Sequence, residues 1–268
     1  MQIQPITLRF RAIATVLGTA ALLTALLPGA AHAQGFTTDD TQLRFDGTSL
    51  SPAQSTARAG FTATPSPGGG IVPIFFYRLP TLAAGTTITS ATLSLNLASL
   101  TTAGGINYNV DLYGLSFRAN PTITAADFYV GPLDTSGNAA LLQDNFVARS
   151  TPTANTPLGR YDSTTAGSAA IANFLNAQYA AGATGGVNGS FVLFRLSSDV
   201  ASSVNAGGYD FNTQDNSSTS GLRPTLTLTT AAISAAPEPS AAALLSAVLL
   251  PLAGMMARRR FRDIDGPA

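Results

Sequence analysis

Apolar and polar residues alternate along much of the chain, a pattern typical of β-strands that bury one face and expose the other. In residues 92–97 three leucines should face a core, while the intervening Ser94 and Asn96 should face water. Residues 107–112 repeat this scheme, with Asp111 on the solvent side. Further strands are expected at residues 74–79, 191–196 and 225–229.

Paired glycines and Gly-Pro or Pro-Gly steps separate these segments, as expected for turns between short strands. We therefore predict an all-β fold, a jelly-roll-like antiparallel β-sandwich. Residues 168–180 differ, because their apolar positions recur at helical spacing between Gly167 and Gly182. They predict one short helix that packs over an open end or face of the sandwich. Residues 133–157 are polar and threonine-rich, and we expect a long surface loop there.

The C-terminal stretch combines a short polar motif, an apolar run and a basic cluster. It consists of Pro237, Glu238 and Pro239, then residues 241–257, then Arg258, Arg259 and Arg260. A membrane-spanning helix needs roughly 17–25 apolar residues, so the run is long enough to cross a bilayer. The arginines would hold its end on the cytoplasmic side, which places the body of the protein outside.

Together these three elements resemble the PEP-CTERM sorting signal of Gram-negative bacteria. The resemblance covers residues 237–268. It implies that an exosortase-type processing enzyme recognises the signal at the inner membrane and cleaves near the tripeptide. An ordinary single-pass tail anchor is the alternative, which explains the apolar run but gives no reason for the tripeptide.

The N-terminus, residues 1–33, has the composition of a secretory signal peptide. Its features, in order, are Arg9 and Arg11, an apolar stretch over residues 12–27, and the small residues Ala31 and Ala33. Cleavage by signal peptidase after Ala33 would leave Gln34 as the first residue of the mature chain. A retained membrane anchor is the alternative. The predicted β-sandwich domain then occupies residues 34–236.

The composition of the chain removes most catalytic designs. The chain has no Cys and no Trp, its one histidine is His32, all its basic residues are arginines, and its one glutamate is Glu238. The body therefore lacks an imidazole or thiol for nucleophilic catalysis, the usual zinc ligands, and any lysine. An aspartate-based glycan-cleaving enzyme stays open, because that chemistry needs only two carboxyl groups.

The charge of the body disfavours nucleic acid as a partner. Residues 34–236 carry eight arginines against eleven aspartates, a net charge of −3 without a basic patch. Binding to a nucleic acid requires a basic face that neutralises phosphates. We expect no nucleic-acid partner.

Four passages of the body carry a second resemblance. They are residues 74–95, 109–113, 171–182 and 223–228. In this order they resemble the DNRLRE-type β-sandwich domain, which is related to carbohydrate-binding modules. The resemblance implies a β-sandwich that accompanies or binds polysaccharide.

The densest group of oxygen donors in the body is formed by Asp210, Asn212, Asp215 and Asn216, expected on a loop before a strand. Calcium prefers six to eight oxygen ligands, and an exported domain without disulfides has a use for a bound ion. A structural calcium site is one hypothesis for this group. A solvated loop whose Asp and Asn side chains form local turns is the alternative.

Flat aromatic rings suit the apolar faces of sugars, and tyrosine is the candidate type in this chain. The candidates for glycan contact on the exposed side are Tyr77, Tyr113, Tyr129 and Tyr209. The alternative is that these tyrosines belong to the core or its rim.

These observations predict a non-catalytic, exported protein of the cell surface or extracellular matrix. The resemblances imply an association with exopolysaccharide or biofilm. A carbohydrate-binding module for an acidic polysaccharide is the first alternative, and the aspartate-based enzyme is the second.

Overall fold

A computed structural model describes residues 29–33, 41–44, 50–51, 55–62, 69–102, 106–149, 156–201, 207–215 and 220–233. Within these ranges the chain forms a mostly antiparallel β fold with a single α-helix. The strands are β1 (Gly29–Ala33), β2 (Thr41–Arg44), β3 (Leu50–Ser51), β4 (Thr56–Phe61), β5 (Gly70–Arg78), β6 (Thr86–Thr102), β7 (Val110–Arg118), β8 (Ala139–Val147), β9 (Gly159–Asp162), β10 (Phe191–Ser198), β11 (Gly207–Asn212) and β12 (Thr225–Ala232). The helix, α1, spans Thr165–Ala180, and two short 3-10 turns lie at Ala125–Asp127 and Ser220–Leu222.

The strands form one curled sheet whose neighbouring strands are antiparallel. Its order is β1-β12-β6-β11-β4-β5-β10-β7-β8, with β2 joined to β5 and β3, and β9 joined to β6. Helix α1 packs against β6, near one end of this order, and also against β7 and β8 at the other end. The helix therefore fills the space where the curl would otherwise stay open.

The main core fills the inside of the curl with large aromatic and aliphatic side chains. Phe75, Phe194 and Phe211 come from three different strands and are fully buried. From the helix, Ile171 and Leu175 enter the same core, each 0% exposed. Burial of such side chains contributes roughly 1.5–3 kcal/mol each relative to exposure, which makes this core the main source of stability.

A second apolar layer covers the outer face of β5, β7 and β10. Its buried members are Val72, Ile74, Phe76, Leu115, Phe191 and Leu193. The segment between β7 and β8 packs Ile123, Phe128 and Val130 onto them. Because both faces are covered, β5 and β10 are nearly continuous apolar runs instead of alternating ones.

The helix begins earlier than its apolar spacing predicts. Thr164 is the N-cap, and its Oγ1 accepts a hydrogen bond from the Gly167 N–H at 3.1 Å. Gly167, expected as the boundary, therefore lies inside the first turn. At the other end the prediction is confirmed, since the helix ends at Ala180 and Gly182 follows with φ +103°.

Side-chain amides tie the helix to strands on both sides of the gap. Asn176 Nδ2 donates to the Ile88 carbonyl of β6 at 2.8 Å, and Asn176 Oδ1 accepts from the Ile88 N–H at 3.0 Å. On the other side, Gln178 Oε1 accepts from the Phe117 N–H of β7 at 3.0 Å. These bonds satisfy backbone groups of β6 and β7 with side chains of the helix.

Several sequence predictions are confirmed and others are wrong. The strands expected at residues 74–79, 191–196 and 225–229 are present as β5, β10 and β12. The surface loop expected over residues 133–157 is wrong in part, because β8 pairs with β7 inside that range.

Three polar side chains expected to face water are buried instead. Asn96 accepts a hydrogen bond at Oδ1 from Asn212 Nδ2 at 2.9 Å, and Ser94 Oγ accepts one from Arg160 Nη2 at 2.6 Å. Asp111 accepts one from the Asn145 N–H at 2.8 Å. Each has found a partner on a neighbouring segment, and this makes its burial possible.

We expect Asn176→Ala to lower the free energy of unfolding by about 1–3 kcal/mol, because it leaves the buried N–H and carbonyl of Ile88 unsatisfied. Asn173→Ala is the matched control, since Asn173 is exposed on the same helix and its loss should change stability by less than about 0.5 kcal/mol. Urea unfolding of the purified variants measures both. If Asn176→Ala and Asn173→Ala lowered the free energy of unfolding by the same amount, the bonds between Asn176 and Ile88 would not be what holds the helix.

Candidate functional site

The predicted calcium cluster begins with Asp210, which the structure places in strand β11 and not on a loop. Its carboxylate accepts from Arg58 Nε at 2.7 Å, from Ser99 Oγ at 3.0 Å and from Thr101 Oγ1 at 2.5 Å. The expectation of a loop at this position is therefore wrong. Asp210 acts in the structure as a partner of Arg58 across the β4–β11 pair.

Of the other proposed calcium ligands, the structure describes Asn212 and Asp215. Asn212 lies two residues further along β11, where its amide donates to Asn96, and Asp215 follows the strand. Asn216 lies outside the described residues. Across the described ranges, no group of three or more His, Cys, Asp or Glu side chains is placed to hold a metal ion. The calcium site stays a prediction.

Three of the tyrosines predicted to contact glycan are in the interior. Tyr77, Tyr113 and Tyr209 are each 0% exposed. The expectation that they face outward is wrong, because a ring covered on both faces offers no surface to a sugar. Tyr209 illustrates the cause, since its hydroxyl donates to the Tyr108 carbonyl at 3.1 Å inside the core. Tyr129 is partly exposed, and its hydroxyl donates to the Leu133 carbonyl at 2.5 Å.

The residues of the predicted processing sites are described only in part. Ala31 and Ala33 lie in β1, opposite Leu228 and Leu226 of β12. Gln34 lies outside the described residues, as do the C-terminal motif and its basic cluster, namely Pro237, Glu238, Pro239, Arg258, Arg259 and Arg260. Among the helical residues that the structure describes, none forms a segment long and apolar enough to cross a membrane.

A fully buried arginine is the feature that the sequence analysis missed. Arg195 lies in the middle of β10 with 0% exposure, and its Nη2 donates to Asp134 Oδ2 at 2.6 Å. Its Nη1 donates to the Asp127 carbonyl at 2.8 Å. The guanidinium carbon lies 4.9 Å from the centre of the Tyr113 ring and 5.6 Å from that of Tyr129. The charge is thus neutralised and enclosed by the segment that follows β7.

The electrostatics of this cluster favour its ionised form. Burial alone would raise the pKa of Asp134, but hydrogen bonds from Ser136 and Arg195 outweigh it and leave that pKa below its usual value. The same balance holds at Asp127, where bonds from Arg118 and Thr124 lower the pKa. The cluster is sealed from solvent, so its role is structural. The signal that could have revealed it is a single arginine inside the apolar run of β10.

Another buried carboxyl group, that of Asp111, lies at an irregular point of the β7–β8 pair. The register shifts on either side of Leu112, and Asn145 opposite has a positive φ of 53°. Burial and the nearby carboxylates of Asp144 and Asp199 raise the pKa of Asp111 to about 6, although the Asn145 N–H opposes this shift. Asp111 is 1% exposed, which keeps it from touching a substrate in this conformation.

An open groove of about 510 Å³ runs between α1 and β8. Ala170 and Ala177 line it on the helix side, and Leu141, 41% exposed, lines it on the strand side. Phe174 reaches its floor beside Gly114, where an added Cβ would lie 2.8 Å from the Phe174 ring. None of the residues that line the groove is charged. Its volume is within the range of ligand-binding clefts.

No protein-family model matches the chain, and no curated protein matches it. The site is therefore defined by its own geometry. Sequence reasoning missed the groove because its two walls, α1 and β8, come from segments predicted as a cap and as a loop.

We predict that Asp111→Asn becomes more stable relative to the unchanged chain as the pH rises from about 4 to above 6. A carboxyl whose pKa is raised by folding binds its proton more tightly in the folded state. Its ionisation therefore removes stability across the interval between the unfolded pKa and about 6. The asparagine does not ionise and escapes this loss, while its carbonyl oxygen can still accept from Asn145.

Urea unfolding of both proteins at several pH values measures this difference. Asp162→Asn, which removes an exposed carboxyl that is bonded to Arg160 and is not among those that raise the pKa of Asp111, is the control for a general charge effect. A difference between Asp111→Asn and the unchanged chain that stays constant across this pH range would contradict a raised pKa.

Proposed function

We propose that the chain is a non-catalytic, exported protein of the cell surface or extracellular matrix, delivered by a signal peptide and sorted by an exosortase-type system. The observation that carries the proposal is the arrangement of the two ends, a signal-peptide pattern over residues 1–33 and the three-part sorting pattern over residues 237–268. Signal peptidase and the sorting enzyme are then its processing partners. The inner membrane holds the chain before processing.

The fold between these ends supports a binding or structural role. A curled, antiparallel β domain with one helix is consistent with the finer assignment, a jelly-roll-like β-sandwich, which we propose for residues 34–236. The absence of histidine, cysteine and lysine from that body supports a non-catalytic protein. Association with exopolysaccharide or biofilm follows from the sorting-signal resemblance and is part of the proposal.

The proposed cleavage after Ala33 has a structural consequence. It would separate β1 from the domain and leave β12 paired only with β6. The mature domain would then have β12 as an edge strand. The positions of β12 that are not buried carry mostly threonine, which has a high strand propensity.

The second candidate function is a carbohydrate-binding module. The groove between α1 and β8 favours it, because it supplies a concave surface that the buried tyrosines do not. The aspartate-based enzyme has less support, since Asp111, the one carboxyl among the described residues whose pKa is raised to about 6, is enclosed. A structural calcium ion would have to be bound without the Asp210 carboxylate, or after it leaves Arg58.

Intact-mass spectrometry of the protein recovered from its host, from both membrane and medium, tests the proposal. We expect a species that begins at Gln34 and ends close to Pro237. A species that keeps residues 258–268 would show a plain tail anchor and would overturn the sorting proposal. One that keeps residues 1–33 would overturn the signal-peptide assignment.

A further inference from the structure

We propose that the groove between α1 and β8 binds a short segment of an uncharged glycan. This proposal deepens the surface-protein assignment and rests on it for the setting, an exported domain among polysaccharides. It also changes the expected ligand, because the sequence had suggested an acidic polysaccharide.

The shape of the groove supports its role as a ligand site. Its helix wall is built from small side chains, Ala170 and Ala177, on either side of Phe174. Longer side chains at these two positions would fill the volume of about 510 Å³. The opening is therefore set by residue size on α1 and rests on a rigid helix and a paired strand, which keep a site preorganised.

The chemistry of the lining also supports a ligand site. The amide side chains of Asn138 and Asn173 and the Ser116 hydroxyl lie around an apolar floor. Gln178 also lines the groove, but its Oε1 already accepts from the Phe117 N–H. Side-chain amides both donate and accept hydrogen bonds, which matches sugar hydroxyls that do the same. The Phe174 ring at the floor and Leu141 on the strand wall suit the C–H faces of sugar rings. An apolar cleft with a few convergent polar groups is the usual form of a ligand site.

The groove lining is uncharged, which disfavours acidic ligands. No arginine or aspartate lines the groove, so a uronate carboxylate placed there would lose its water without gaining a cationic partner. Phosphate and sulfate groups meet the same penalty. An uncharged sugar loses only the hydrogen bonds between its hydroxyl groups and water, and the side-chain amides of the groove offer hydrogen bonds in their place.

The absence of tryptophan from the chain permits a direct binding assay. Leu141→Trp places a single indole at the strand wall of the groove, at a position already 41% exposed. Leu158→Trp, at a position 60% exposed and outside the groove, is the matched reporter. The protein is used in the form its host produces, in detergent if it stays with the membrane.

The probes are uncharged glucose hexasaccharides of three linkages, cellohexaose, laminarihexaose and maltohexaose, with hexagalacturonate as the acidic counterpart. We expect at least one uncharged probe to change the fluorescence of Leu141→Trp at millimolar concentration, with no change for Leu158→Trp. Neutral fragments of the host's own exopolysaccharide, tested in the same way, show whether the ligand is made by the same cell.

Variants on the helix locate the binding. Ala177→Leu, added to the reporter, fills the groove and should abolish the fluorescence change, whereas Ala169→Leu, exposed on α1 but outside the groove, should leave it unchanged. Asn173→Ala should weaken binding several-fold while leaving stability unaltered. Circular dichroism confirms that each variant is folded.

Three results would overturn the proposal. They are no response to any uncharged probe, a response that survives Ala177→Leu, and a stronger response to hexagalacturonate than to the uncharged probes. The assay does not depend on where the chain is cleaved, so its failure is distinct from a failure of the sorting proposal, which intact mass decides.

Discussion

The buried guanidinium of Arg195 is the constraint on which the outer layer of this domain depends. A charged group in a strand covered on both faces is tolerated only if its charge is paired. Here two of the three guanidinium nitrogens, Nη1 and Nη2, also donate hydrogen bonds, whereas the buried Nε has no partner among the described residues. Both partners, the Asp134 carboxylate and the Asp127 carbonyl, come from the segment between β7 and β8. That segment must therefore fold across β10, and in doing so it brings Phe128 and Val130 onto the outer apolar layer.

This arrangement explains how a domain of this size is held together without disulfides. The chain has no cysteine, so no covalent cross-link constrains the unfolded state. Instead, β5, β7 and β10 contribute side chains to both the inner core and the outer apolar layer. The Arg195–Asp134 ion pair holds the segment between β7 and β8 in place over that outer layer. The same curl leaves a gap between β6 and β8, which α1 fills with Ile171 and Leu175 inside and the groove outside.

Much of the β structure could be predicted from sequence, and the reasons for the failures are physical. The runs in β5 and β10 are mostly apolar, and α1 has helical spacing, so the local pattern is enough to predict these elements. Strand β11 was missed because Gly207 and Gly208 indicate a turn. In the structure an added Cβ at Gly208 would lie 2.6 Å from the Arg58 side chain. The glycine is therefore needed because Arg58, which is distant in sequence, packs closely against it, and not because the chain turns there.

The candidate sites depended even more on distant contacts. The local sequence around Tyr209 and Asp210 predicts that both are on the surface. In the structure, however, the Tyr209 hydroxyl donates to the Tyr108 carbonyl in the interior, and the Asp210 carboxylate forms an ion pair with Arg58. The groove follows from the packing of α1 beside β8, and residue spacing does not reveal such packing.

A double-mutant cycle on Arg195 and Asp134 tests the central structural claim most directly, with urea unfolding as the measurement. We expect Arg195→Met and Asp134→Leu each to lower the free energy of unfolding by about 3–5 kcal/mol, because each leaves a buried charge unpaired. The double variant should lose clearly less than the sum of the two, since neither charge then remains. Single losses below about 1 kcal/mol, similar to those of the exposed Arg160–Asp162 pair, or strictly additive losses would contradict it.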